Sequence, residues 1–181
     1  MKKRQMTIEE YNSASGIYTI IINNARYQKN YPDAIEKIIK AFLVNKEVFL
    51  GFCRTDGMNI TKEKQEKLKN EIPAFFKKNG DFKKLSEYLT VARIKLNDCS
   101  YSYIPSIFDY YLETLMFNSE VNWEIFEQYY SDYQKHRFDE IILNHFAEIL
   151  FYYFDSGDFL ICFDSEKHSP QKVRKTIDLL L

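Results

Sequence analysis

The sequence predicts an α+β fold, a helix-dominated single domain with a short three-stranded sheet. Three short runs rich in β-branched and aromatic residues, at 17–22, 48–53 and 159–163, lie far apart in the chain and read as its strands. Between them, apolar residues recur at helical spacing. The 181 residues are 45% apolar and 28% charged, with five glycines and four prolines, which suits one core without staples or long flexible linkers.

Taken in order, Thr7 with Glu10 reads as a capping box opening a short helix that Gly16 ends. The run 17–22 is the first strand. Pro32 and Asp33 start a helix in which Ile35, Ile38, Ile39 and Phe42 fall at i, i+3, i+4 and i+7. The run 48–53 is a second buried strand, closed by the Thr55-Asp56-Gly57 turn. A charged helix follows from Thr61, with Glu63 and Lys67 in the favourable i, i+4 order, until Pro73 breaks or kinks it and Gly80 ends it. Asp81 caps a helix to about Leu96 whose stripe is Phe82, Leu85, Leu89 and Ala92. Pro105 opens another to about Phe117, and Asn122 caps a longer one from Trp123 to Phe154, which Gly157 stops. The run 159–163 is the third strand, and Ser169-Pro170 starts a last amphipathic helix with Val173, Ile177 and Leu180 on one side. The single domain 1–181 thus comprises a mixed part at about 1–59, a basic helical part at 60–98, an acidic aromatic helical part at 101–166 and a C-terminal helix at 169–181.

Several classes are excluded or disfavoured. Cys53, Cys99 and Cys162 are an odd number at wide spacing, which argues against a disulfide framework and a zinc ribbon. The basic start, Met1-Lys2-Lys3-Arg4, runs into Glu9 and Glu10 rather than an apolar stretch, so it is not a secretion signal. No run approaches the roughly 18 apolar residues of a membrane span. A cytoplasmic protein is expected. No Gly-rich phosphate loop, nucleophile elbow or zinc-protease helix is present, and no cofactor or metal is called for.

Charge is distributed unevenly. Residues 101–166 hold thirteen acidic side chains against Lys135 and Arg137, a local net of −11 in a chain whose overall charge is −1. Nineteen of the 30 aromatic residues lie in the same stretch. Glu120, Glu124 and Glu127 fall on one helical face, and like charges there repel, so a partner or a basic neighbour must offset them. With Asp132, Asp139, Glu140 and Glu148 further on, they form an acidic ridge able to imitate a phosphate backbone. The alternative is a solvated face neutralised by the lysines of 62–95. Tyr110-Tyr111, Tyr129-Tyr130 and Tyr152-Tyr153 are adjacent pairs whose members point about 100° apart on a helix, so some are exposed, and Tyr129 and Tyr130 join the ridge as partner-binding residues.

Other polar groups admit chemistry as well as plain surface roles. His145 lies on the apolar side of its helix and reads as a core histidine. His136 and Glu140 are i, i+4 neighbours that make either an acid–base pair or a surface ion pair. Alternation after the third strand brings Asp164, Glu166 and His168 together, a weak hard-metal or nuclease-type arrangement or simply turn chemistry. Lys62, Lys64, Lys67, Lys69, Lys77, Lys78, Lys83 and Lys84 are placed to follow an RNA backbone, though Glu63, Glu66 and Glu71 interrupt them.

In size, lysine- and tyrosine-rich composition and acidic helical surface, residues 101–166 above all, the chain resembles the small antagonists carried by phages and other mobile elements, which include anti-CRISPR proteins and the immunity proteins of bacterial toxin systems. The resemblance is one of character and transfers no functional residue. It implies an inhibitor whose partner is a basic nucleic-acid-handling protein, such as an RNA-guided nuclease or a toxin nuclease. The alternative is a ribonuclease or RNA-binding protein using the basic side, including one that cleaves the guide RNA of its target.

Overall fold

Strand-forming residues fill more of this chain than its three clearest runs suggest. The computed structural model describes residues 5–43, 47–53, 61–84, 89–96, 101–110, 114–118, 138–153 and 157–181. Among them, eight strands form a single antiparallel sheet: β1 (Thr7–Asn12), β2 (Ile17–Asn23), β3 (Glu47–Cys53), β4 (Gly80–Lys84), β5 (Leu89–Lys95), β6 (Thr114–Asn118), β7 (Ile149–Tyr153) and β8 (Phe159–Asp164). Their order across the sheet is β1-β2-β8-β7-β6-β3-β5-β4. The helices are α1 (Tyr31–Phe42), α2 (Lys62–Asn79), α3 (Ile104–Tyr110), α4 (Phe138–His145) and α5 (Pro170–Leu180). The helix-dominated body with a three-stranded sheet is therefore corrected to an eight-stranded sheet carrying helices on both faces.

Register explains why the sheet holds together. Ile20 pairs with Ile161, Ile161 with Phe151, Phe151 with Met116, Met116 with Leu50, and Leu50 with Ala92. All six are fully buried, so one apolar row crosses six strands on a single face. α1, α2, α3 and α5 cover that face, through Ile35, Ile38 and Ile39, through Leu68, Ile72 and Phe76, through Ile104, Ile107 and Phe108, and through Val173 and Ile177. Alternate residues of the same strands, among them Leu115, Phe117, Leu150 and Cys162, point to the other face and join Ile142 and Leu143 of α4 in a second, smaller cluster.

The differences from what the sequence predicts have more than one cause. The capping box at Thr7 and Glu10 is not used. Residues 7–12 pair along β2 instead, turning through Ser13 and Gly16, whose φ of 80° relieves the turn of a Cβ penalty. The helix expected at 81–96 is the β4–β5 hairpin. In β5 the neighbours Val91 and Ala92 are both buried, one in each cluster, because both faces of the strand are covered. Such a strand has a continuous apolar run that periodicity cannot separate from a buried helix. The same holds at 149–153, where the long helix expected to reach Phe154 gives way to β7, and at 114–118, where the helix from Pro105 gives way to β6. Pro73 does not end α2, since Leu68, Ile72 and Phe76, one helical turn apart, hold both sides of it on the sheet. The expected strands at 17–22, 48–53 and 159–163 and the helices starting near Pro32, Thr61 and Pro170 are present.

One polar cluster ties the sheet edge to α5. Glu10 on β1 accepts a hydrogen bond from the Tyr18 hydroxyl and one at 2.8 Å from Arg174 Nη1, while Arg174 Nε donates to Asp178 at 2.9 Å. The Tyr18 hydrogen bond, then that of Arg174, holds the Glu10 carboxyl below its ordinary value of 4.5. A lowered native value means that the contribution is complete above 4.5 and is lost as the pH falls through that lowered value. Glu10→Gln is therefore expected to flatten the acid limb of the stability profile. Thermal midpoints of the two proteins, taken from neutral pH downwards, should converge as the acid is added, and parallel curves would remove Glu10 from the acid response.

Candidate functional site

A polar turn flanked by open clefts forms where β8 turns into α5. The turn is made by Asp164: its carbonyl accepts from the N–H groups of Lys167 (3.2 Å) and His168 (3.0 Å), and its Oδ1 accepts from the Glu166 N–H at 2.8 Å. Ser165 anchors the turn to the β1–β2 hairpin, donating from its N–H (3.2 Å) and its hydroxyl (2.9 Å) to the Gly16 carbonyl. His168 is thereby presented edge-on to Phe163, with ring centroids 6.2 Å apart, and its Nε2 lies 3.2 Å from Glu148 Oε2. Glu148 belongs to the bend between α4 and β7. The pair joins two segments that are 20 residues apart in sequence.

Two clefts open beside this pair. One, of about 510 Å³, is bounded by Phe42 and by the end of α4 and the start of β7, including His145, Phe146 and Glu148. The other, of about 560 Å³, runs along α5 past Ser169, Lys172 and Thr176. Phe42, Lys167 and His168 belong to both, so the clefts meet there.

The expected grouping of Asp164, Glu166 and His168 does not form. Asp164 is engaged in its turn and with Lys167 at 3.9 Å, Glu166 is exposed, and His168 turns to Glu148. Among the described residues no group of three or more His, Cys, Asp or Glu side chains is placed to hold a metal ion. His145 is exposed at the end of α4, not in the core, because the helix stops there and the chain bends toward β7. Glu148 as partner of His168 left no local signal, since the contact depends on the strand order.

The remaining candidates divide between the faces of the sheet. Lys62, Lys64, Lys67, Lys69, Lys77 and Lys78 are exposed on α2, which packs on the larger cluster, and Lys83 and Lys84 lie in the edge strand β4. Glu71, one of the acids that interrupt them, lies 3.8 Å from Lys67 Nζ and accepts from the Tyr103 hydroxyl at 3.5 Å. Burial first, then the Glu71 charge and hydrogen bond, push the Tyr103 hydroxyl up to about 12, so this half-buried ring, stacked on Phe75 at 4.6 Å, stays neutral. Asp139 and Glu140 sit in α4, which packs on the opposite face. Glu120, Glu124, Glu127, Tyr129, Tyr130, Asp132 and His136 lie outside the described residues.

Comparison with protein-family models, curated proteins and solved structures finds no match for this chain. No described helix is long and apolar enough to cross a membrane.

Proposed function

We propose that the chain is a non-catalytic inhibitor of a basic nucleic-acid-handling protein, of the anti-CRISPR or toxin-immunity kind, acting through the acidic, aromatic region 101–166. The observation that carries this reading is the local net charge of −11 in that region. Its support in the fold is the placement of α4, with Asp139 and Glu140, across the sheet from the exposed lysines of α2. A stretch with so strong a net negative charge produces a field that a basic groove can meet. The Glu120, Glu124 and Glu127 ridge provides the charges and Tyr129 and Tyr130 the apolar anchors.

The test is affinity capture from the host cytosol at low and high salt, followed by titration of the retained protein. A basic nuclease released by salt is the expected catch. Replacing Glu120, Glu124 and Glu127 together by Lys should weaken its binding by roughly tenfold or more without lowering the thermal midpoint, as rim charges act on association rather than folding. Unchanged affinity in the triple variant would remove the ridge. The six exposed lysines of α2 favour a second reading, RNA binding with or without cleavage. RNA retained or shortened in the absence of such a protein would move the function to that side.

A further inference from the structure

Independently of that reading, we propose that the open edge of β1 takes up an extended segment of a partner protein, alternating basic with apolar residues, as an added strand of the sheet. β1 ends the strand order, so among the described residues no strand lies beyond it. The Ser13 N–H donates to the Ile17 carbonyl at 2.9 Å, which makes these two a hydrogen-bonded pair at the mouth of the β1–β2 hairpin. Hydrogen-bonded and open pairs alternate along an antiparallel ladder. Carried on through the pairing of Tyr11 with Thr19, Glu9 with Ile21 and Thr7 with Asn23, this turns the backbone groups of Thr7, Glu9 and Tyr11 toward β2. Those of Ile8, Glu10 and Asn12 face outward, a row of donors and acceptors that an extended chain can pair.

The side chains of β1 specify the occupant. Glu9 accepts from Asn23 Nδ2 at 2.7 Å and from the Tyr11 hydroxyl at 3.0 Å, one bond to each carboxylate oxygen. Both donors are neutral, so they fix the carboxylate without compensating its charge, and each oxygen keeps a further acceptor site. The Tyr11 ring beside it is exposed. A lysine or arginine of the incoming strand, opposite Glu9, pairs with that carboxylate and lies over the ring. On the other face Glu10 already pairs with Arg174 at 2.8 Å, and Ile8 packs at the margin of the larger cluster, so apolar residues suit that side. A second copy of this chain fits poorly. Outward groups must meet outward groups, and the fullest antiparallel register then sets Ile8 against Asn12 and Glu10 against Glu10, like charges directly opposite. In the antiparallel sense that every pair of the sheet uses, the incoming residues whose N–H groups face β1 are the apolar ones, since they stand opposite Ile8, Glu10 and Asn12.

Amide hydrogen exchange read by NMR on the full chain, with and without a short capped peptide alternating arginine with valine, tests this. In the free chain the Ile8, Glu10 and Asn12 amides should exchange at least about tenfold faster than those of Thr7, Glu9 and Tyr11, and saturating peptide should slow them by a similar factor. N-methylation of the peptide's valines should weaken binding at least about tenfold, whereas N-methylation of its arginines should not. Glu9→Lys, at an exposed position, should weaken the parent peptide about tenfold and keep the thermal midpoint. The proposal is overturned if methylating the valines costs no more than methylating the arginines, or if Glu9→Lys binds the peptide as the wild type does. It is overturned equally if the peptide protects α4 and not β1, or if the free chain dimerises with Ile8, Glu10 and Asn12 already protected.

Discussion

Gly80→Ala should lose roughly 3 kcal/mol or more of stability, lowering the thermal midpoint by about 10 °C. Gly80 opens β4 directly after α2 and pairs with Ile94. A Cβ built there lies 2.0 Å from the Arg93 carbonyl oxygen and 2.8 Å from the Ile94 Cα. Both are backbone atoms of the neighbouring strand and cannot turn aside as a side chain would, so relief requires β4 to move off β5. The φ of 173° is ordinary extended backbone, so space and not dihedral freedom demands glycine here. Gly16 is the converse, with φ 80° and nothing within 4 Å of its Cβ position, and Gly16→Ala should cost only about 1–2 kcal/mol. Equilibrium denaturation of the two variants separates the causes. Equal, small losses would mean that the α2–β4 junction is looser than these distances imply.

Phe151→Ala should cost about 3–5 kcal/mol, the range for emptying a buried aromatic position. Phe151 is fully buried in β7, in the middle of the apolar row, between Met116 and Ile161. Its ring stacks on Phe159 at 5.7 Å and meets Phe42 of α1 at 6.4 Å, so its loss removes contacts within the sheet and between the sheet and a helix. Tyr11→Ala on the edge strand is the matched control. That ring is 55% exposed, and the change should stay within about 0.5 kcal/mol. A Phe151→Ala loss as small as the control's would mean that the row is not the centre of the core.

Elements with their own start or stop signals were the legible ones. α1, α5 and the start of α2 were readable because each buries one stripe and carries its own start signal: Pro32, Pro170, and Thr61, whose hydroxyl accepts from the Lys64 N–H at 3.3 Å. β2 and β8 were readable because β-branched and aromatic runs end at turn residues. β5 and β7 were not, since neighbours such as Val91 and Ala92, or Leu150 and Phe151, are buried on opposite faces and erase the alternation. β1 was hidden for another reason, as its pairing with β2 outweighs a local capping pattern worth about a kcal/mol.

For the candidate sites, composition was legible from the residues alone: how strongly 101–166 is acidic and aromatic, where the lysines of 62–84 lie, and that a histidine and carboxylates follow the last strand. Tertiary structure alone decided company. The order β1-β2-β8-β7-β6-β3-β5-β4 brings the start of β7 beside the end of β8, and so Glu148 to His168, while the turn at Asp164 withdraws the nearer carboxylate from it. It also sets α2 and α4 on opposite faces of one sheet. Local spacing records what a residue can do within one turn of helix or two residues of strand. Pairings across a sheet depend on which strands become neighbours, and that is settled by burying both faces of the whole sheet at once.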